Sequence, residues 1–168
     1  MIDWNARVAA FWDAAGELPE NEVLGRMDEL LAERPANDPA ALYERASAYD
    51  FVGREADAEP LYRQALAAGL DPVRRPQAII QLASTLRNLG RAGDAVDLLT
   101  QTDPADPADP AELGEEYADA RTAFLALALI DAGRPAEGAA RALLALSNHL
   151  TRYRRAVRHY AEEELARR

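Results

Sequence analysis

The chain has 168 residues, 49% apolar and 29% charged, which is long enough for a real core and too apolar for a disordered segment. It has no cysteine, which excludes a disulfide framework and any thiolate nucleophile or metal ligand. The formal net charge is −10 and all 19 basic residues are arginine, a balance unsuited to neutralising phosphates, so no general nucleic-acid partner is expected.

The chain opens MIDWNARVAAFWDAAG, a short apolar face among acids with no basic leader, so a cytoplasmic protein is expected. Val8, Ala9 and Trp12 precede Gly16 by eight, seven and four residues. A second amphipathic stretch then carries Val23, Leu24, Met27, Leu30 and Leu31. Together they read as a degenerate helical hairpin over residues 3–38.

Three similar hexapeptides follow: GREADA at 53–58, GRAGDA at 90–95 and GRPAEG at 133–138. Their glycines are 37 and 43 residues apart, a period that signals a two-helix repeat with insertions. Eleven residues before the glycines stand Leu42, Ile79 and Thr122. Eight before stand Arg45, Leu82 and Leu125; seven before, Ala46, Ala83 and Ala126; four before, Tyr49, Leu86 and Leu129. Those offsets are helical and predict one apolar stripe per first helix. Each glycine is expected to end that helix in a left-handed conformation. Acids then open the second helix (Glu55, Asp57, Asp94, Glu137), where they complement its dipole. The small residues at +5 (Ala58, Ala95, Gly138) are expected to meet the small residues at −7 across the hairpin. A hairpin cannot bury its stripe alone, so neighbouring hairpins must stack.

Some positions depart from this pattern. Arg45 occupies a core position: either it is buried and needs a partner, or its stem packs while its head reaches water, and a structural ion pair is expected over a ligand contact. Pro60 falls inside a second helix and is expected to bend it or delay its start. Residues 103–110, DPADPADP, read as a stiff acidic connector. The apolar run from Ala123, AFLALALIDAG, is too short to span a bilayer, so no membrane partner is expected. At the C-terminus, SNHLTRYRRAVRHYAEEELARR places Leu150, Tyr153, Val157, Tyr160, Ala161 and Leu165 at helical spacing. That is a capping helix over 148–167. If its stripe is not satisfied within the chain, it forms a homodimer interface.

The pattern resembles the tetratricopeptide repeat. The likeness is strongest over residues 39–72, where Leu42, Ala46, Tyr49, Gly53, Ala58, Tyr62, Ala65 and Pro72 fall at or near signature positions. It continues through 76–107 and, more loosely, 111–146. LYERASAYDFVGREADAEPLYRQAL, IIQLASTLRNLGR and RYRRAVRHYAEEEL are also similar to a group of small bacterial tetratricopeptide proteins without assigned chemistry. The resemblance implies one all-α domain over 1–168: a right-handed α-α superhelix, a solenoid of about four helical hairpins plus the capping helix. It further implies a concave groove lined by the first helix of each repeat. Spacing places Tyr43, Ser47, Asp50 and Phe51 there from one repeat, and Gln77, Ile80, Ser84, Arg87 and Asn88 from the next. Ala123, Leu127, Ile130 and Asp131 hold the corresponding places in the third. They are so apolar that this helix is expected to be covered by the C-terminal one.

No catalytic constellation is found. GRAGDA lacks the spacing and lysine of a phosphate loop, and neither G-x-S-x-G nor H-E-x-x-H occurs. His149 reads as a surface or packing residue. His159 with Glu163 is a lone helical pair and implies no metal, and no cofactor is implied anywhere. Glu115, Glu116 and Glu162–Glu164 read as solvated charge. The expected function is therefore non-enzymatic: a protein-interaction module or scaffold holding an unidentified protein, peptide or partner helix in the groove. The alternative is a structural protein that self-associates through its C-terminal helix.

Overall fold

The computed structural model describes residues 3–100 and 115–167. The chain divides into two compact units, Met1–Ala78 and Ile79–Arg168. Its described residues form helices and no strands. The acidic connector read in DPADPADP lies outside the described residues.

The first unit contains α1 (Trp4–Ala15), α2 (Glu20–Leu31), α3 (Pro39–Phe51), α4 (Glu55–Ala67) and the start of α5 (Arg74–Asn88). Trp4, Val8, Phe11 and Ala15 form the buried stripe of α1, packed with Val23, Met27 and Leu31 of α2 and Ala40, Ala41 and Ala48 of α3. This corrects the alignment on Gly16. Ala9 is exposed, and Gly16 has a right-handed φ of −64° instead of closing the helix as a left-handed residue. The buried period begins at the aromatic Trp4, whose indole N–H donates to the Leu30 carbonyl at 3.0 Å.

Asp38 starts α3 by accepting from the Ala41 N–H at 2.9 Å, with Pro39 in the first turn, where its missing donor costs nothing. Arg45 reaches Asp28 of α2 at 3.4 Å, the structural ion pair its core position calls for. Pro60 lies inside a helix that begins at Glu55, so the proline does not delay the start.

The second unit contains the rest of α5, α6 (Ala92–Thr100), α7 (Glu115–Asp131), α8 (Pro135–Ser147) and α9 (Arg154–Ala166). The guanidinium of Arg121 on α7 donates to the Leu99 carbonyl at 2.6 and 2.9 Å, satisfying an orphan acceptor at the end of α6. Arg154 does the same for α8, donating to the Ser147 carbonyl at 3.1 Å and to that of Asn148. α9 packs on α8.

The three sister glycines behave alike. Gly53, Gly90 and Gly133 have φ of 71°, 76° and 79°. In each copy the arginine after the glycine donates its N–H to the carbonyl five residues before that arginine: Arg54 to Tyr49 at 2.8 Å, Arg91 to Leu86 at 2.9 Å, Arg134 to Leu129 at 2.8 Å. The glycine N–H closes the shorter inner ring at 3.0–3.1 Å. This is the double bond of a Schellman ending. The same arginines then grip an acid three residues on: Arg54 with Asp57 at 2.7 Å, Arg91 with Asp94 at 2.5 Å, Arg134 with Glu137 at 2.5 Å. The spacing of glycine, arginine and acid therefore ends one helix and pins the next.

The small pair across the hairpin is also as expected. Ala46, Ala58 and Ala95 are fully buried and Ala83 nearly so. In the last copy a Cβ built on Gly138 would stand 2.6 Å from the Ala126 carbonyl oxygen, so the two backbones nearly touch.

Candidate functional site

Set back from their glycines by ten, six, three and two residues, the three first helices offer comparable columns. In α3 these are Tyr43, Ser47, Asp50 and Phe51. Tyr43 and Ser47 are buried, Asp50 is half-buried and Phe51 is 52% exposed. In α5 they are Ile80, buried; Ser84 and Arg87, half-buried; and Asn88, exposed. In α7, Ala123, Leu127, Ile130 and Asp131 are all exposed, with Leu127 at 42% and Ile130 at 45%. The expectation that the C-terminal helix covers this third column is thus incorrect: α9 packs against α8. Leu127 and Ile130 of α7 are left open to solvent, while Leu125 and Leu129 are buried.

Within the first unit, Tyr43 and Gln77 come together. The Tyr43 hydroxyl donates to Gln77 Oε1 at 3.0 Å, and Gln77 Nε2 donates to the Val73 carbonyl at 3.2 Å. Beneath them the Ser47 hydroxyl donates to the Tyr43 carbonyl at 3.0 Å. The buried Tyr62 of α4 donates weakly to Ser47 Oγ and Asp50 Oδ2 at 3.4 and 3.5 Å. Burial pushes the Tyr62 phenol well above its ordinary range, and the Asp50 carboxylate adds to the shift. Ser47 therefore supports the surface from below. Phe51 meets it at the edge, its ring 5.8 Å from that of Trp12.

Tyr43 and Gln77 border a recess of about 640 Å³ whose walls include Asn5, Trp12, Arg34, Asp71 and Arg74. At its base is a network that sequence reasoning missed. Glu44, 4% exposed, accepts from the Trp12 indole at 2.8 Å and from Arg74 Nε at 3.0 Å. Arg74 also donates to Asp71 at 3.0 Å and to Asn5 at 2.7 Å. The Asp71 carboxylate caps the start of α5 by accepting from the Val73 and Arg74 N–H groups, each at 3.0 Å.

Burial disfavours the charge on both Arg74 and Asp71, yet their partners prevail. Glu44 and Asp71 hold the guanidinium above its ordinary range, and Arg74 holds the Asp71 carboxyl below its own. The shared hydrogen bonds tie Trp12, Glu44, Asp71, Arg74 and Asn5 into one network that stiffens this floor. One signal could have found it: Glu44 is an acid beside the apolar Leu42 and Tyr43 on the buried side of α3.

In the second unit Arg87 donates to Asp131 of α7 at 2.5 Å, which places a held guanidinium beside the bare Leu127 and Ile130 column. Of the remaining candidates, His149 is exposed and 2.7 Å from Asp119, and His159 stands 3.8 Å from Glu163. Among the described residues no group of three or more metal-binding side chains occurs, and no helix is long and apolar enough to cross a membrane.

The profile of the Tetratrico peptide repeat family matches residues 39–164. The chain belongs to the tetratricopeptide repeat family. Comparison with curated proteins and with solved structures finds no match. The family assignment agrees with the Schellman endings, the small residues packed across each hairpin and the all-helical fold. The match begins at the residue where α3 begins, so α1 and α2 lie outside it. Tetratricopeptide repeats generally mediate protein–protein interaction, and their proteins are typically scaffolds without catalysis.

Proposed function

We propose that this tetratricopeptide protein is an interaction module that takes an extended peptide or a partner helix on the exposed column of its first helices. The observation that supports this is the change along each column. The positions nearest the glycine, Phe51 and Asn88, are open to solvent. Asp50 and Arg87 are half open, and Tyr43, Ser47 and Ile80 are buried below them.

In the first unit the contact set is Phe51, Asp50 and Gln77, with Tyr43 and Ser47 fixing Gln77 and the backbone. In the second it is Ser84, Arg87 and Asn88 over Ile80. An aromatic anchor with fixed polar groups around it suits a peptide, whose backbone needs donors and acceptors and whose side chains need an apolar seat.

The test is a pull-down from the source organism with the wild type and two variants, Phe51→Ala and Arg87→Ala/Asn88→Ala, all verified by thermal melting. Partners captured by the wild type are lost from at least one variant. If every partner survives both sets of changes, the columns are not the binding surface.

A further inference from the structure

The C-terminal helix carries a surface that the columns do not use. Residues 147–168 hold six arginines against three acids, on a chain whose net charge is −10. Elsewhere, Arg54, Arg74, Arg87, Arg91, Arg134 and Arg141 each hold a carboxylate of their own chain. Among the described residues, Arg152, Arg154, Arg155 and Arg158 hold none. Arg154 is spent on the end of α8, and Arg158 donates to Asn148 at 2.6 Å. Arg152 and Arg155 are exposed and, among the described residues, form no hydrogen bond or ion pair.

Two aromatic rings stand among them, against the expectation that their stripe is satisfied within the chain. Tyr153 is 80% exposed and Tyr160 67% exposed. Tyr153 is also held in a left-handed backbone conformation, φ 63°, which is strained for a residue with a bulky side chain. Tyr153, Arg155, Ala156, Arg158, His159 and Tyr160 border an open recess of about 660 Å³, bounded at its far end by Glu162.

We propose that this face of α9 binds a short acidic segment of a partner protein. Charge complementarity identifies the occupant. Free guanidinium groups are forks that match a carboxylate with two parallel hydrogen bonds, and exposed tyrosines supply area at small entropic cost. The patch is short, because Glu162–Glu164 close it, and the rest of the molecule is acidic. A long polyphosphate or an anionic membrane would meet repulsion beyond the first few contacts, whereas a run of a few Asp or Glu would not. This surface is separate from the columns of the first helices, and either assignment can fail without the other.

Fluorescence anisotropy on the full chain tests it, with a labelled octaglutamate peptide as probe. Octaglutamine, octathymidylate and phosphatidylserine vesicles serve as comparison ligands. Octaglutamate binds, octaglutamine does not, and raising salt from about 0.05 M to about 0.5 M weakens binding steeply. Arg152→Glu/Arg155→Glu reduces affinity roughly tenfold or more, because both cations reverse. Among the described residues neither side chain makes a hydrogen bond or ion pair, so the melting temperature of the double variant stays close to the wild-type value. Tyr160→Ala gives a smaller loss. The assignment is overturned if octaglutamate fails to bind, if the double variant binds it as well as the wild type, or if octathymidylate or the vesicles bind more tightly. A dimer seen by light scattering and dissolved by the double variant would also overturn it, in favour of a second copy as occupant.

Discussion

Gly138 stands where the backbones of α7 and α8 nearly touch. Alanine normally outranks glycine inside a helix by about 0.5–1 kcal/mol. Here the added methyl would lie 2.6 Å from the Ala126 carbonyl oxygen, and backbone cannot step aside as a flexible side chain can. Gly138→Ala should therefore destabilise, by about 1–3 kcal/mol as for other overpacked sites. Gly90→Ala should also destabilise, for a different reason. Nothing lies within 4 Å of its would-be Cβ, so the cost is the left-handed backbone alone, about 1–2 kcal/mol. Urea unfolding of the two variants measures both. A Gly138→Ala protein as stable as the wild type would mean that α7 and α8 can separate freely. Tyr62 makes a second prediction, through pH. Its phenol is raised above the ordinary 10.0, so the stability it contributes is complete below that pH. That stability is lost as pH climbs and the unfolded phenol ionises while the buried one stays neutral. Tyr62→Phe should flatten the loss of stability between neutral pH and strong alkali, while costing at most about 1 kcal/mol at neutral pH because its hydrogen bonds are long. Equal alkaline slopes in the two proteins would show that the phenolate is tolerated inside. At this scale the sequence is readable where a residue's neighbour lies at a fixed offset, as Gly138 and Ala126 do. Glu44 was not readable, because its partners Trp12 and Arg74 lie 32 and 30 residues away in opposite directions.

At the scale of the element, the hairpin is the most legible feature. Helix ends are written in local chemistry: a left-handed glycine, an arginine after it, an acid three residues on. Such chemistry does not depend on what packs above. The stripe positions are legible for the same reason in α3, α5 and α7. Legibility fails where the pattern fits either of two partners. Leu127 and Ile130 looked like core because they are apolar. α9 looked like their cover because its own stripe is amphipathic, but that helix packs on α8. α1 failed differently: aligning on Gly16 selected Ala9 over Phe11, since a glycine that does not adopt a left-handed conformation carries no register. The correction at α7 can be measured. Leu127→Ser, on the bare column, should change stability by less than about 0.5 kcal/mol. Leu129→Ala, two residues on and 1% exposed, should cost about 2–5 kcal/mol. If Leu127→Ser costs as much as Leu129→Ala, the α7 column is covered after all.

Across the whole molecule, burial is distributed unevenly, and that sets where the chain opens first. Among the described helices, α5 is one of the most enclosed. Ala78, Ile79, Ile80, Leu82, Ala83, Thr85 and Leu86 are all 6% exposed or less. α9 buries Ala161 and no other described residue, and it is joined to α8 through Arg154 and Arg158. In a repeat protein each hairpin is stabilised by its neighbours, so an end element loses support on one side while an inner one does not. Amide protection follows the free energy of the opening that exposes each group, from near zero at fraying ends up to the full unfolding energy in the core. Hydrogen exchange read by mass spectrometry should accordingly find the α9 amides exchanging first among the helices and those of α5 last. Arg154→Ala should speed exchange in α9 and the last turn of α8 while leaving α5 unchanged, because the lost bonds are confined to that junction. Comparable protection of α9 and α5 would show that the C-terminal helix is held by more than its packing on α8. It would also mean that its arginine and tyrosine face is displayed on a rigid support, not at the loosest end of the fold.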